Sequence, residues 1–412
     1  MASLILNPPS WSKVKSSRVD TLNKILNSKA AASYGNPRTW GVYWDTVTVT
    51  DDGTSAPVAQ TNGYLVSTYP TLFQMSGSYV SSQSVIKTAK IAATGGNTGL
   101  NDGGYCSASR IRFLVEDKKV TLRLAGSSRA YRILIDGQYL DTTGLVPGAT
   151  SGTRYFSYEF STRNIREFIV ETQLNQAFVG VYVSATGKVH RAADPSIRSV
   201  ALGDSWMVGT AATHLADGID YVCADWMGWQ SHVQSGAAST GFVNTNSGYN
   251  FLDRVNNGDL SIGGTPDVIL MRASLNDKNQ SAANVTSNCL AALKAARDQF
   301  PNALIIQMGA YPVAGANGGT LSSTQNEAAV KSAFDSFLDP FSVFVPIINA
   351  VPGAPISGTG NPSATTGVGN ADYLMAAGDG SHLSSYGSSI LGRWQAEAIT
   401  TSLLNLRNSL TS

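Results

Sequence analysis

The segment ALGDSWMVGT (201–210) places a serine directly after a short apolar run. Gly203 and Asp204 precede Ser205, and Gly209 follows it closely. Such a corner is either an ordinary turn or a strand-to-helix junction that presents a nucleophile. A serine hydroxyl reacts readily only when a base, usually a histidine oriented by a carboxylate, accepts its proton. The rest of the chain therefore decides between the two interpretations.

The chain has four histidines, and one of them has a carboxylate at a spacing that suits a base. His382 lies in the segment AAGDGSHLSSYG, three residues after Asp379. An Asp-x-x-His turn allows one short segment to present both the base and the group that orients it. We expect the remaining histidines to be structural or solvent-exposed: His190, His214 and His232. The sequence thus predicts a triad of Ser205, His382 and Asp379.

Three donors are predicted for the negative oxygen of a tetrahedral intermediate, which must be stabilised by hydrogen bonds. The backbone N–H of Ser205 is the first. Asn276 follows the apolar run VILMRA and can donate through its side-chain amide. The loop VQSGAASTGF (233–242) offers a backbone N–H at Gly236. Gly241 in the same loop is the alternative, and we prefer Gly236 because it follows the preceding predicted strand sooner.

A sheet must hold these residues together. After a linker at 186–199, the chain alternates predicted strands at 199–203, 219–224, 267–272, 303–308 and 342–348 with predicted helices at 282–299, 323–338 and 384–407. Such alternation predicts a parallel sheet covered by helices on both faces, with the active site beyond the carboxyl ends of the strands. Ser205 follows the first of these strands, where this rule places a functional group.

The first half of the chain has a different pattern. Within residues 1–55, the stretch WSKVKSSRVDTLNKILNS predicts an amphipathic helix, with Ser10 as its cap, that docks on the protein or on a neighbouring subunit. Residues 56–190 contain short alternating runs and the hairpin YRILIDGQYL, in which Asp136-Gly137 suits a type I′ turn. We expect a β-sandwich of jelly-roll type there, and a catalytic domain at 192–412.

Composition narrows the function classes. The net charge is +1 and the basic residues are scattered, which argues against a nucleic-acid partner. The three cysteines are far apart with no CxxC pair, so no zinc ribbon, metal site or disulfide framework is expected. No apolar run is long enough to span a membrane, and the N-terminus does not read as a secretory signal. The low charge and 40 glycines are typical of extracellular or virion-associated β-rich proteins.

The segments GDSWMVG, SGAAS, SLND and DGSH occur in the order of the four blocks of the SGNH (GDSL) hydrolases. Over about residues 195–410 the chain resembles this family, which implies a three-layer αβα domain and a serine esterase without cofactor. The resemblance assigns the functional positions to Ser205, Gly236, Asn276, Asp379 and His382. Ser274 replaces the usual glycine of the third block and is expected to narrow the loop beside Asn276. Met207 disfavours an α/β-hydrolase, whose elbow needs glycine there.

An appended β-sandwich resembles the layout of carbohydrate esterases and of phage tail deacetylases, so we expect an O-acetylated polysaccharide or oligosaccharide as substrate. Trp206 is expected to wall an acyl pocket. Trp226 and Trp229 are expected near the end of the second predicted strand, where they either stack on sugar or pack in the core. Two alternatives stay open: a lipase or thioesterase for longer acyl chains, and a non-catalytic virion or adhesin protein with a relict domain. Whether the sandwich binds glycan, and whether the chain forms a homo-oligomer, also stay open.

Overall fold

The computed structural model describes residues 11–32, 46–76, 78–81, 85–88, 108–141, 144–174, 176–312, 319–350, 353, 355–356, 370–376, 379 and 381–411. The first helix, α1, spans Trp11–Ala32. A β-rich part follows, and the C-terminal half alternates strands and helices. No helix within the described ranges is long and apolar enough to cross a membrane.

Eleven of the described strands form one hydrogen-bonded sheet in the N-terminal half. They are β1 (Val47–Gly53), β2 (Asn62–Leu65), β3 (Gln74–Ser76), β4 (Ser78–Val80), β5 (Ile86–Thr88), β6 (Ala108–Ser127), β7 (Arg132–Ile135), β8 (Gln138–Tyr139), β9 (Gly148–Gln173), β10 (Ala177–Val183) and β11 (Lys188–Arg191). The described strands form a single branched sheet in place of two separate ones, so the prediction of a jelly-roll sandwich is not confirmed. The hairpin of β7 and β8 is confirmed, and Asp136 and Gly137 both have positive φ, as a type I′ turn requires.

The long strands β6 and β9 pair antiparallel along nearly their whole length and bend together. Their register shifts between Asp117 and Lys119. Before the shift the β6 side chains in the apolar core are odd-numbered, as at Phe113, and after it they are even-numbered, as at Leu122. Since an extra residue reverses the side on which the following side chains lie, both halves contribute to one apolar core.

The C-terminal half is built on a five-stranded parallel sheet in the order β13-β12-β14-β15-β16. These strands are β12 (Arg198–Gly203), β13 (Ser231–Gly236), β14 (Val268–Arg272), β15 (Leu304–Met308) and β16 (Ser342–Val345). Almost every residue in them is buried, as expected for strands covered on both faces. The predicted parallel sheet is confirmed.

Helices cover both faces of this sheet. They are α2 (Ser205–Val208), α3 (Ile219–Met227), α4 (Phe251–Asn256), α5 (Ala282–Gln299), α6 (Ser323–Phe337), α7 (Ala371–Leu374) and α8 (Ser385–Thr411). One apolar core joins α1, α3 and α8 to the sheet, and a second joins α4, α5 and α6 to the opposite face. Leu22 and Ile25 of α1 are fully buried in the first core, so this helix docks on the body of the protein. Ser10, its predicted cap, lies outside the described residues.

The predicted strand at 219–224 is wrong, because these residues belong to α3. Gly218 precedes the helix and Gly228 ends it in the left-handed conformation, with φ 68°. All of its residues except Trp226 are buried. A short helix that is buried on nearly every side, its two aspartates included, has no exposed polar stripe, so hydrophobic periodicity does not distinguish it from a buried strand.

Candidate active site

Ser205 lies where the chain turns from β12 into α2. Asp204 is the cap of this one-turn helix, and its Oδ1 accepts the backbone N–H of Trp206 at 3.0 Å. Gly209 ends the helix at φ 74°, a conformation that favours glycine. The short turn leaves Ser205 at the carboxyl end of the sheet, where active sites of parallel αβ sheets lie.

The three residues of the predicted triad lie in contact. The Nε2 atom of His382 lies 2.8 Å from the Oγ of Ser205. The Nδ1 atom of His382 lies 2.9 Å from both carboxylate oxygens of Asp379. A carboxylate can only accept, so Nδ1 carries the proton and Nε2 is left as the acceptor for the Ser205 hydroxyl.

Asp379 is held in its ionised form. Its partial burial raises its pKa. The hydrogen bond and charge of His382, together with the backbone N–H groups of Ser381 and His382, lower the pKa by a larger amount, so that it lies below the ordinary value. The carboxylate therefore stays charged throughout the neutral range and keeps the imidazole in one tautomer.

The segment that carries His382 is anchored on both sides. The carbonyl oxygen of His382 accepts the N–H of Ala376 at 2.8 Å, and the N–H of Ser384 donates to Leu374 at 2.9 Å. The indole Nε1 of Trp206 donates to the carbonyl oxygen of Ser381 at 2.8 Å. The residue next to the serine thus holds the loop of the histidine.

Gly236 lies beside the serine corner, since it pairs with Gly203 across β12 and β13. A Cβ at this position would lie 2.6 Å from the backbone nitrogen of Val208, so only glycine allows α2 to pack this closely on β13. The N–H of Gly241 donates to the carbonyl oxygen of Asn244 at 2.9 Å. This bond occupies the alternative donor and favours Gly236.

Asn276 is held near the serine by two short loops. Its Nδ2 donates to the carbonyl oxygen of Thr240 at 2.9 Å and lies 3.4 Å from the Oδ2 of Asp204. Ser274, which replaces the expected glycine, is 1% exposed and donates from its hydroxyl to the same Oδ2 at 2.5 Å. The Ser274 hydroxyl also accepts the backbone N–H of Asn276 at 3.1 Å. The serine therefore ties the two loops together.

Arg254 is a supporting residue that sequence reasoning missed. It is fully buried, and its guanidinium donates to the carbonyl oxygens of Gly203 and Ser235, each at 2.7 Å. Asp259 balances its charge at 2.8 Å. Arg254 thereby joins the ends of β12 and β13 under the serine. No motif marks it, because its partners are brought close only by the folded sheet.

A small cavity of about 20 Å³ lies at the carboxyl ends of β14 and β15. Trp206, Leu275 and Tyr311 contribute apolar surface to it, and Asp204 and Lys278 contribute charged groups. The ring of Trp206 stacks on that of Tyr311, with centroids 4.9 Å apart. Trp206 is only 6% exposed, so its role as a wall for the acyl group stays a prediction.

The expected sugar contacts of Trp226 and Trp229 are corrected by the structure. Both residues come before β13, whose first residue, Ser231, pairs with Arg198 at the start of β12. They therefore lie at the amino edge of the sheet, roughly 20 Å along the strands from Ser205. Trp229 is 2% exposed within the core, and Trp226 packs under the guanidinium of Arg393. Their placement followed from the wrong strand at 219–224.

The other three histidines do not join this site. Burial lowers the pKa of both His214 and His232 to about 3, so both are neutral. His190 is exposed on β11. No group of three or more metal-ligating side chains occurs in the part of the chain that the structure describes.

No protein family model matches this chain, and no curated protein does. Solved structures with a similar fold do exist. A salicylyl-acyltransferase from a tetracycline biosynthetic pathway matches with a TM-score of 0.58 at 12% identity, over 85% of this chain and 98% of the other. The acetyl xylan esterase of Butyrivibrio proteoclasticus matches with a TM-score of 0.54 at 11% identity, over 89% and 99% of the two chains.

A protein of Bacteroides ovatus described as a GDSL-like lipase matches with a TM-score of 0.51 at 11% identity, over 87% of this chain and 98% of the other. At such identities the likeness concerns the fold. The alignments cover most of both chains, so they include both the β-rich part and the parallel sheet. The chain therefore shares its fold with an acetyl xylan esterase and with a protein described as a GDSL-like lipase.

Proposed function

We propose that this protein is a serine esterase that removes O-acetyl groups from a carbohydrate. The observation that carries the proposal is the 2.8 Å contact between the Ser205 hydroxyl and His382, whose other ring nitrogen contacts Asp379. An ordinary turn serine has no need of such a pair, whereas a nucleophile does.

The reaction proceeds through an acyl-enzyme. His382 accepts the proton of Ser205 as the oxygen attacks the ester carbonyl, and then donates it to the departing sugar oxygen as the ester bond breaks. A water molecule, deprotonated by His382, attacks the acyl-serine and releases acetate, and the proton returns to Ser205. Asp379 stabilises the imidazolium that forms in each half-reaction without taking its proton.

Three donors stabilise the tetrahedral oxygen in this proposal: the N–H groups of Ser205 and Gly236, and the side-chain amide of Asn276. One amide hydrogen of Asn276 is used by Thr240. The second amide hydrogen of Asn276 has only a weak contact, because the Oδ2 of Asp204 lies 3.4 Å from Nδ2. An oxyanion would replace Asp204 as its acceptor.

The carbohydrate ester is supported by the acetyl xylan esterase that shares this fold. An acetyl group suits the polar loops beside the serine, where Ser274 and Asn276 bond to Asp204 and offer no apolar surface to a long chain. A fatty acyl group would need a continuous apolar surface, which favours acetate over the lipase alternative. A glycan substrate also suits a protein that acts outside the cell, whether secreted or attached to a virion.

A screen for acetate release from O-acetylated bacterial and plant glycans tests this proposal. The wild-type protein should release acetate from at least one glycan, and Ser205→Ala should release none. A wild-type protein that hydrolyses neither glycan acetates nor simple aryl acetates would favour the relict domain instead. Activity on long-chain esters alone would favour the lipase.

A further inference from the structure

The β-rich part contacts the catalytic half through a buried group of charges on β6, β7 and β9. Glu171 is fully buried and forms two ion pairs. Its Oε1 lies 2.6 Å from the guanidinium of Arg110, and its Oε2 lies 2.8 Å from that of Arg132. Each arginine reaches a second carboxylate in the catalytic half. Arg110 contacts Asp225 of α3 at 2.5 Å, and Arg132 contacts Asp217 at 2.7 Å. Two connections therefore start from Glu171, and each runs through one arginine to an aspartate on a different element.

Asp217 continues the connection toward the active site. Its Oδ1 receives Arg132, and its Oδ2 accepts the hydroxyl of Ser385 at 3.3 Å. The Ser385 hydroxyl also accepts the backbone N–H of Thr213 at 2.9 Å. Ser385 is the first residue of α8 and lies three positions after His382. Asp225, in contrast, lies near the end of α3, at the edge of the sheet where β13 begins.

We propose that Arg132, Asp217 and Ser385 are positioning residues through which the β-rich part fixes the catalytic histidine. The proposal rests on the esterase mechanism above. The hydrogen bond from Ser385 to Asp217 holds the start of α8, which follows the histidine loop in the chain. Trp206 holds the other side of the loop through its bond to Ser381. Loss of the contact between Asp217 and Ser385 lets the loop move, so that the Nε2 of His382 no longer stays within hydrogen-bond distance of Ser205.

Asp217→Ala tests the proposal, and Asp225→Ala is its matched control. Each variant removes one carboxylate from an arginine that Glu171 also binds, so both should lower the melting temperature. Only Asp217→Ala should lower kcat on an aryl acetate, by roughly 10- to 100-fold with little change in KM, because the reacting atoms are displaced. Asp217→Asn keeps one polar atom for Arg132 and one for Ser385, and should therefore recover most of the activity that Asp217→Ala loses.

Ser385→Ala extends the test. It should reproduce the loss in kcat, and the double variant Asp217→Ala/Ser385→Ala should be little worse than either single variant, since both break one connection. Equal kcat in Asp217→Ala and Asp225→Ala, or fully additive losses in the double variant, would overturn the proposal.

Hydrogen exchange supplies a readout that does not depend on the esterase reaction. The backbone amides of residues 381–388 should exchange faster in Asp217→Ala than in Asp225→Ala. If wild-type protein has no esterase activity, the proposed function fails, and exchange alone decides the positioning role. Unchanged exchange at 381–388 in Asp217→Ala refutes that role whatever the activity.

Discussion

The indole nitrogen of Trp206 donates to the carbonyl oxygen of Ser381, so the residue after the nucleophile holds the residue before the base. The two segments are 175 positions apart in the sequence. This bond and the stacking of Trp206 on Tyr311 hold the tryptophan in place, and through it they align Ser205 with His382.

Trp206→Phe should lower kcat by between about 10- and 100-fold with little change in KM, because the aromatic ring is retained while the donor to Ser381 is lost. Steady-state kinetics on an aryl acetate measure this effect. Trp226→Phe is the matched control and should leave kcat unchanged, since Trp226 lies at the other edge of the sheet. A similar loss in both variants would contradict the positions assigned to them.

Asn276→Ala should lower kcat by roughly 10²–10³-fold, as expected for the loss of one oxyanion donor. Asn276→Asp has nearly the same shape but cannot donate when ionised, and it should be equally impaired. Kinetics at saturating substrate separate this role from substrate binding. An effect confined to KM would make Asn276 a binding residue instead.

Acyl selectivity should be short, with acetate hydrolysed faster than butyrate and octanoate hydrolysed negligibly. The loops beside Ser205 are polar at Ser274 and Asn276, and Trp206 is nearly fully buried, so a long acyl chain finds no continuous apolar surface to cover it. A series of aryl esters of increasing chain length measures the preference. Faster turnover of octanoate than of acetate would rule out the acetylesterase proposal.

His232 should make the protein less stable in acid. Burial lowers its pKa to about 3, whereas a histidine in the unfolded chain has a pKa of about 6.5. Between these values the unfolded state binds a proton that the folded state does not, so the free energy of unfolding falls as the pH falls, by about 1.4 kcal/mol per pH unit.

His232→Asn removes this proton and should show a shallower loss of stability between pH 6 and pH 4, measured by urea unfolding, in a window set by the ordinary histidine pKa of about 6.5. Parallel slopes for wild-type protein and His232→Asn would show that His232 is not buried as described.

The elements with local signals could be predicted from the sequence. The helix at 282–299 has a cap at Ser281 and a clear apolar stripe, and the structure has it at the same residues. The order of the four short blocks predicts Ser205, His382 and Asp379, which lie in contact in the structure. α3 has no exposed polar face, because even its two aspartates are buried, so its pattern predicts a strand. The predicted sugar contacts of Trp226 and Trp229 depend on that strand.

The residues that support the site could not be predicted. Arg254 joins the ends of two strands, and Ser274 bridges Asp204 and Asn276, through contacts that exist only after folding. The same holds for Asp217, which connects β7 to Ser385 of α8, a residue 168 positions away in the sequence. Such side chains have no local pattern, since their partners are chosen by the tertiary structure and not by spacing in the chain.

Covalent labelling of the serine tests the central claim most directly. An aryl phosphonate ester should react once per chain, and peptide mapping by mass spectrometry should place the adduct on Ser205. Labelling should disappear in Ser205→Ala and become much slower in His382→Ala, because the base no longer activates the hydroxyl. An adduct on another residue, or unchanged labelling of His382→Ala, would contradict a nucleophile activated by His382.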